Sequence, residues 1–379
     1  MTVASSNRLW GHPGRELARI ESSRVLRSAD AYLSEPPKTI TSEPESRSPG
    51  GLHDYYSEGD YWWPDPAHPS GPYLRRDGQS NPANFVAHRQ LLIRFSIHVP
   101  ALTAAWILTG KDRYAEHAIA HLHAWLVDPR TKMNPNLEFA QAIHGIATGR
   151  SIGIIDTVHL AEVARAAWIL KRKGRIGEIG IEAWFTEYLQ WLTSSERGQA
   201  ERGEKNNHGS CWLLQAAAFA SCIGDMTIVE HCRQRFREVA IPGQIAQDGS
   251  FPLELARTKP YSYSLFNLDA LCMIAQILSN GSGNHDKSNL WNFRLPDGRG
   301  LEAACRFMFP YIQDKRSWPF PHDVEYFDDL PVRQPGLLFA GLAYRQQSYL
   351  QLWERLDGEP VVAEVIRNHP IRQPLLWLH

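Results

Sequence analysis

From His88 onward the apolar positions recur at helical spacing in one block after another, with polar positions filling the opposite face. The blocks run over residues 88–110, 111–127, 157–174 and 181–195, then 211–224, 226–240, 263–281 and 336–356. Short turns containing Gly or Pro separate them, and strand-like alternation is scarce. Residues 15–35 also have helix-like periodicity, after which Pro36, Pro37, Pro44 and Pro49 with several Ser mark an irregular segment. About ten or more helices in hairpins, with Ala and Leu at their contacts, predict an all-α fold. The expected form is an (α/α) toroid, an incomplete helical barrel of antiparallel helix pairs, with an open α-solenoid as the alternative. Residues 1–50 are expected to pack as an N-terminal helix and irregular Pro/Ser-rich segment on a main domain of residues 51–379, one structural domain in all.

Residues 52–84 break the helical pattern. They hold too many Pro, Gly and Asp for regular structure, yet are too aromatic for a disordered linker, so they read as long functional loops over a cleft. Aromatic residues are plentiful throughout, with 13 Trp and 13 Tyr that offer flat faces to sugar rings or to core neighbours. The 40 Lys+Arg against 41 Asp+Glu exclude a nucleic-acid or membrane-surface role driven by bulk charge. A polyanionic partner would need a local basic cleft. Five cysteines without a C-x-x-C pair read as free thiols. The opening residues show no signal-peptide core and no stretch approaches a bilayer span, so the chain as written reads as cytoplasmic, with the periplasm or secretion open if a leader has been trimmed.

Two polar segments each precede a strongly apolar helix. In Lys205-Asn206-Asn207-His208-Gly209 an Asn suits a helix N-cap, with side chains at the helix mouth. In Leu253 to Tyr263, Arg257 and Tyr263 would lie at the entry to a later helix. Together with D-Y-W-W-P-D-P at 60–66, R-R-D-G at 75–78 and N-P-A-N-F-V-A-H-R at 81–89, these segments resemble the alginate lyase domain family of polysaccharide lyases, in its broader, non-classical branch. The resemblance covers roughly residues 50–345. It matches Asn207 and His208 to the family's N-N-H segment, and Arg257 and Tyr263 to its later Arg and Tyr. Gly209, Ser210 and Cys211 depart from the Ser and aromatic pair of classical members.

The resemblance implies β-elimination on a four-linked polyuronate, alginate (especially mannuronate-containing) or glucuronan, with no cofactor and no metal. That chemistry removes the proton beside a carboxylate and expels the neighbouring glycosidic oxygen. Asn207 would help neutralise the carboxylate. Tyr263 is expected to be an acid or base, with Arg257 favouring its ionised form. His208 is a second candidate base, taking the proton from the opposite sugar face while Tyr263 protonates the leaving oxygen. The expected substrate-binding set is Tyr61, Trp62, Trp63, Arg75, Arg76, Asn84, His88, Gln141, His144, Arg150, Lys205 and Tyr261. For Tyr61 to Trp63 the plainer reading is a packed aromatic loop, and for Gln141 and His144 a buried polar pair.

His117, His121 and His123 invite a metal reading, but without HExxH they read as a solvated helix face. The 318–331 loop with His322 and Asp323 reads as a rim or structural element. A helical-toroid glycoside hydrolase would need two carboxylic acids across the scissile bond, for which Asp248, Glu254 and Asp269 are candidates in no specific pattern. A non-catalytic carbohydrate-binding protein is the third reading, which the presence of all four candidate catalytic residues opposes.

Overall fold

The computed structural model describes residues 12–177, 180–279 and 288–378. The opening residues, read above for a leader, and the Asn280–Gly281 end of one expected helix lie outside the described residues. Fifteen helices are named here: α1 Pro13–Tyr32, α2 Ala87–Thr109, α3 Asp112–Leu126, α4 Leu160–Arg172, α5 Ile181–Ser194, α6 Glu196–Gly203, α7 Asn207–Ile223, α8 Met226–Arg235, α9 Ile241–Gln244, α10 Pro252–Leu255, α11 Pro260–Leu278, α12 Leu301–Gln313, α13 Pro335–Ala343, α14 Gln347–Arg355 and α15 Ala363–Arg367.

Side-chain periodicity decides which helices are inside. α7 and α11 are buried almost all round and belong in the interior. α5 buries only Ile181, Trp184, Phe185, Tyr188, Leu189 and Leu192, a single stripe, and lies outside. The inner succession is α1, α2, α4, α7, α11 and α13, with α3 against α2, α5 and α8 against α7, α12 against α11 and α14 against α13. This is an α/α toroid. Between α13 and α1 the ring is bridged twice: Arg333, just before α13, pairs with buried Glu21 at 2.8 Å, and in the C-terminal segment Arg372 O and Gln373 Oε1 accept from Arg24, both at 3.0 Å. Buried Glu162 accepts the backbone N–H of Arg372 and Gln373 at 2.9 and 2.8 Å, which ties α4 to the same strap.

Several expectations need correction. Residues 336–356 are two helices, because Arg345 adopts a left-handed conformation (φ 54°) that ends α13. Residues 52–84 contain short strands: β1 Tyr56–Glu58, β2 Trp62–Trp63 and β3 Leu74–Arg75. β1 pairs in parallel with β4, Phe139–Ala142, while β2 and β3 form an antiparallel hairpin. α2 is in fact long and apolar enough to cross a membrane by length and composition, but 61% of that window is buried inside the fold. All five cysteines are buried free thiols.

The α3 histidines do not share a solvated face. His123 is exposed, His117 is half-buried with Nε2 bonded to Glu35 O at 2.9 Å, and His121 is fully buried beside the rings of His98 and His117. Burial pushes the His121 pKa down to about 3. The unfolded chain takes a proton below about 6.5 that the folded site refuses, so this residue's contribution to stability is lost as pH falls from about 6.5 toward 3. His121→Leu should therefore gain about 2 kcal/mol on the wild type between pH 7.5 and pH 5. Urea melts at both values check this, and a difference that does not change with pH would refute it.

Candidate active site

A cavity of about 280 Å³ lies at the mouth of the ring where α7 and α11 begin. Asn207 and His208 line it from the first turn of α7, Tyr263 from the first turn of α11, and Arg257 from the turn before α11. Each helix N-terminus already meets a carboxylate of the protein, Glu254 at α7 and Asp323 at α11. Tyr61, Trp62 and Arg75 enter from the aromatic loops, and Gln141 and Arg150 from β4 and the segment after it.

Two buried carboxylates hold the N-N-H segment. Asn206 caps α7 by accepting from the backbone N–H of His208 at 3.1 Å. Asn207 donates its backbone N–H and its Nδ2 to Glu254 on α10, at 2.6 and 2.7 Å. One amide hydrogen of Asn207 is thereby spent and the other is left for the cavity. His208 Nδ1 lies 2.7 Å from Glu201 Oε1 on α6, which leaves Nε2 as the ring nitrogen available to the cavity. Burial alone would depress the imidazole, but Glu201 and then Glu254 outweigh it and His208 is raised above its ordinary value. Burial likewise raises Glu201. Gly209 makes the pairing sterically feasible: a Cβ there would stand 2.1 Å from Glu204 O, so the departure from the classical motif is what lets α6 close on α7.

The second half is locked by the R-R-D-G turn. Arg257 donates to Asp77 through Nε and Nη2 at 3.2 and 3.0 Å, and Asp77 also accepts from Thr258 and Arg75. Gly78 has φ +77°, and a Cβ there would lie 2.4 Å from Thr258 Oγ1, so only glycine lets this turn dock. The start of α11 is fixed by Asp323, which accepts the backbone N–H of Tyr261 and Ser262 at 2.8 and 2.9 Å; the 318–331 loop thus has a structural role beside the site. The guanidinium of Arg257 sits 4.7 Å from the centre of the Tyr263 ring, and the Tyr263 hydroxyl meets Tyr61 Oη at 2.8 Å. Contrary to expectation, Tyr263 is not acidified. Burial pushes its pKa up to about 12, and the pull of Arg257, whose charge is shared with Asp77, does not reverse this.

Arg150 carries positive charge without a carboxylate partner. Its Nε and Nη2 donate to Gln141 O and Oε1 at 2.8 and 3.2 Å, it stands over Trp62, and burial lowers it to about 10. Among the described residues it makes no ion pair. Gln141, with φ 49°, is braced by Asp156 through Nε2 at 3.1 Å. The cavity floor has a compensated charge network absent from the expected set: Arg367 pairs with Asp60 at 2.8 Å and Glu364 at 3.3 Å, and Arg89 pairs with Asp60 on the buried side. Among the described residues no three His, Cys, Asp or Glu are placed to hold a metal.

Seven residues of the expected substrate-binding set do not line this cavity. His88 is buried, accepting Tyr56 N–H at Nδ1 (3.0 Å) and meeting Glu43 O through Nε2 (2.9 Å), so it pins β1 to the N-terminal segment. Asn84 is buried and donates to Gly59 O at 2.7 Å. Tyr261 points into the core and donates its hydroxyl to Tyr311 O at 3.0 Å. Trp63 donates to Gln79 O at 3.0 Å under the guanidinium of exposed Arg76, away from the cavity. His144 is exposed against Tyr73 and lines a separate groove, not a buried pair with Gln141. Lys205 is exposed outside the cavity. The hydrolase candidates are also dispersed: Glu254 is spent on Asn207, Asp269 accepts Gly336 N–H at 2.7 Å, and Asp248 closes a turn at Ser250.

A helical toroid with a polar, acid- and base-bearing cavity at one mouth is the class this geometry defines. The chain belongs to the alginate lyase family, which it matches over residues 39–318, and it is a polysaccharide lyase. It is similar to the crystal structure of an alginate lyase from Bacteroides ovatus, with 29% identity, 99% of each chain covered and a TM-score of 0.80. Alginate lyase A1-III, in a variant complexed with a tetrasaccharide, shares the fold at 15% identity, with 98% of this chain and 97% of that one covered and a TM-score of 0.57. No curated protein matches it by sequence.

Proposed function

We propose that this lyase depolymerises a four-linked polyuronate, alginate or glucuronan, by β-elimination, with His208 taking the C5 proton and Tyr263 protonating the leaving C4 oxygen. The observation that carries the reading is one cavity holding a carboxylate-braced imidazole, a proton-bearing phenol and the unpaired guanidinium of Arg150. Arg150 and the free amide hydrogen of Asn207 neutralise the uronate carboxylate, which stabilises the enolate-like transition state. With Nδ1 held by Glu201, His208 accepts a proton at Nε2. A phenol with a pKa near 12 keeps its proton at neutral pH and suits the acid role. The C5 hydrogen and C4 oxygen lie on opposite faces in guluronate and on one face in mannuronate and glucuronate. The two side chains therefore act from opposite sides in the first case and converge in the others.

Ultraviolet absorbance of the protein with polymannuronate, polyguluronate and glucuronan, followed separately, tests the proposal. A rise marks the conjugated double bond and names the substrate, whereas new reducing ends without absorbance would replace elimination by hydrolysis. Because side chains supply the charge neutralisation, EDTA treatment is expected to leave the rate within about twofold. Complete loss on chelation, restored by a divalent metal, would overturn that expectation.

A further inference from the structure

Most of the charges that line the cavity at the start of α7 and α11 are cancelled inside the protein. Arg75 and Arg257 share Asp77 at 2.6 and 3.0 Å, and His208 meets Glu201. Arg367 pairs with Asp60 and Glu364, and each of those acids has a second cation, Arg89 for Asp60 and Lys259 for Glu364. Two charged side chains are left over. Arg150 has no carboxylate, and the side chain of Glu204 has no ion-pair or hydrogen-bond partner among the described residues. Both line the same cavity, yet they do not pair with each other.

The backbone of Glu204 is fixed while its carboxylate is not. It stands directly after α6, its N–H donates to Glu201 O at 3.1 Å, and its carbonyl lies close against Gly209 in the first turn of α7. An unpartnered carboxylate in a site for a polyanion repels each uronate charge that enters, so its presence needs a compensating contact. Sugar hydroxyls supply one. A carboxylate accepts hydrogen bonds without donating, its two oxygens suit two neighbouring hydroxyls, and bonds assisted by its charge are the stronger kind. In a pyranuronate the carboxylate is carried on C5, and C2 is the ring atom directly across, with O3 beside O2. A leftover cation and a leftover anion set apart in one cavity therefore match the two ends of a single uronate ring.

We propose that Glu204 determines specificity by accepting the O2 and O3 hydroxyls of the uronate whose carboxylate Arg150 holds, an assignment that rests on the polyuronate reading above. The enzyme thereby requires those hydroxyls to be free and discriminates against a polymer acylated there. Together the two side chains fix which way round the ring lies beside His208 and Tyr263.

Initial rates of absorbance increase on the polyuronate that the enzyme cleaves, measured before and after chemical O-acetylation of that polymer, test this. For the unaltered enzyme kcat/KM is expected to fall about tenfold or more on acetylation. Glu204→Ala removes the acceptor and opens space, so it should lose about tenfold on the free polymer and less than about twofold on the acetylated one, and the ratio between the two polymers collapses. Glu204→Gln keeps the shape and should shrink that ratio about threefold, which preserves the test if the alanine variant does not fold by circular dichroism. A structural role, or one exerted through charge on His208, would lower both rates together, and an unchanged ratio overturns the proposal. A gain in kcat/KM on the free polymer in Glu204→Gln also overturns it, because the carboxylate would then merely repel substrate. Absence of absorbance from the unaltered enzyme on every polyuronate brings down the reaction on which the assignment rests, whereas absorbance with an unchanged ratio brings down the assignment alone.

Discussion

Tyr263→Phe is expected to lower kcat by about 10²–10⁴-fold while leaving KM within a small factor, because the substitution deletes only the hydroxyl that protonates the leaving oxygen. The ring stays against Arg257 and remains buried in α11. The lost contact is one hydrogen bond to Tyr61, worth about 1 kcal/mol, so the fold should hold. Circular dichroism and KM for the polyuronate that gives absorbance separate damage from loss of chemistry. Near-normal kcat in a folded variant would remove Tyr263 from the mechanism.

Glu201→Gln should cost about 10–100-fold in kcat/KM and change its pH dependence. The amide oxygen can still accept from His208 Nδ1, so ring orientation survives while the charge that favours the imidazolium is gone. In the unaltered enzyme His208 acts as a base only once deprotonated. Its raised pKa therefore places the rising limb of kcat/KM above about 6.5. In Glu201→Gln that limb should move to lower pH. A merely structural role would lower activity without moving the limb, and an unmoved limb would refute the dyad.

Most of the ring and half of the site could be read from the chain. Apolar helices such as α4, α5, α7 and α11 announce themselves because packing imposes a period on their sequences. α6 did not: its sequence ERGQAERG is polar with two glycines, its start is capped by Ser195, which accepts from Gly198 N–H at 3.0 Å, and Gly198 lets it approach Leu192 closely, yet it carries Glu201. Asn207, His208, Arg257 and Tyr263 stand in short recognisable segments. The carboxylates that orient them, Glu201, Glu254 and Asp77, come from elsewhere in the chain and have no local pattern. His88 and Asn84 misled because a polar residue in a motif-like segment can serve its own backbone as readily as a ligand.

Arg367 and Glu364 complete the cavity floor from a helix made long after its walls, and Lys259 meets Glu364 across 105 residues of sequence at 3.4 Å. At about 5–20 residues per second, a ribosome needs on the order of 5–20 s to travel between them. Throughout that interval Asp60 lacks Arg367, and the strap that bridges α13 to α1 has yet to emerge. The cavity floor therefore stays incomplete until the segment carrying Glu364 and Arg367 has been made.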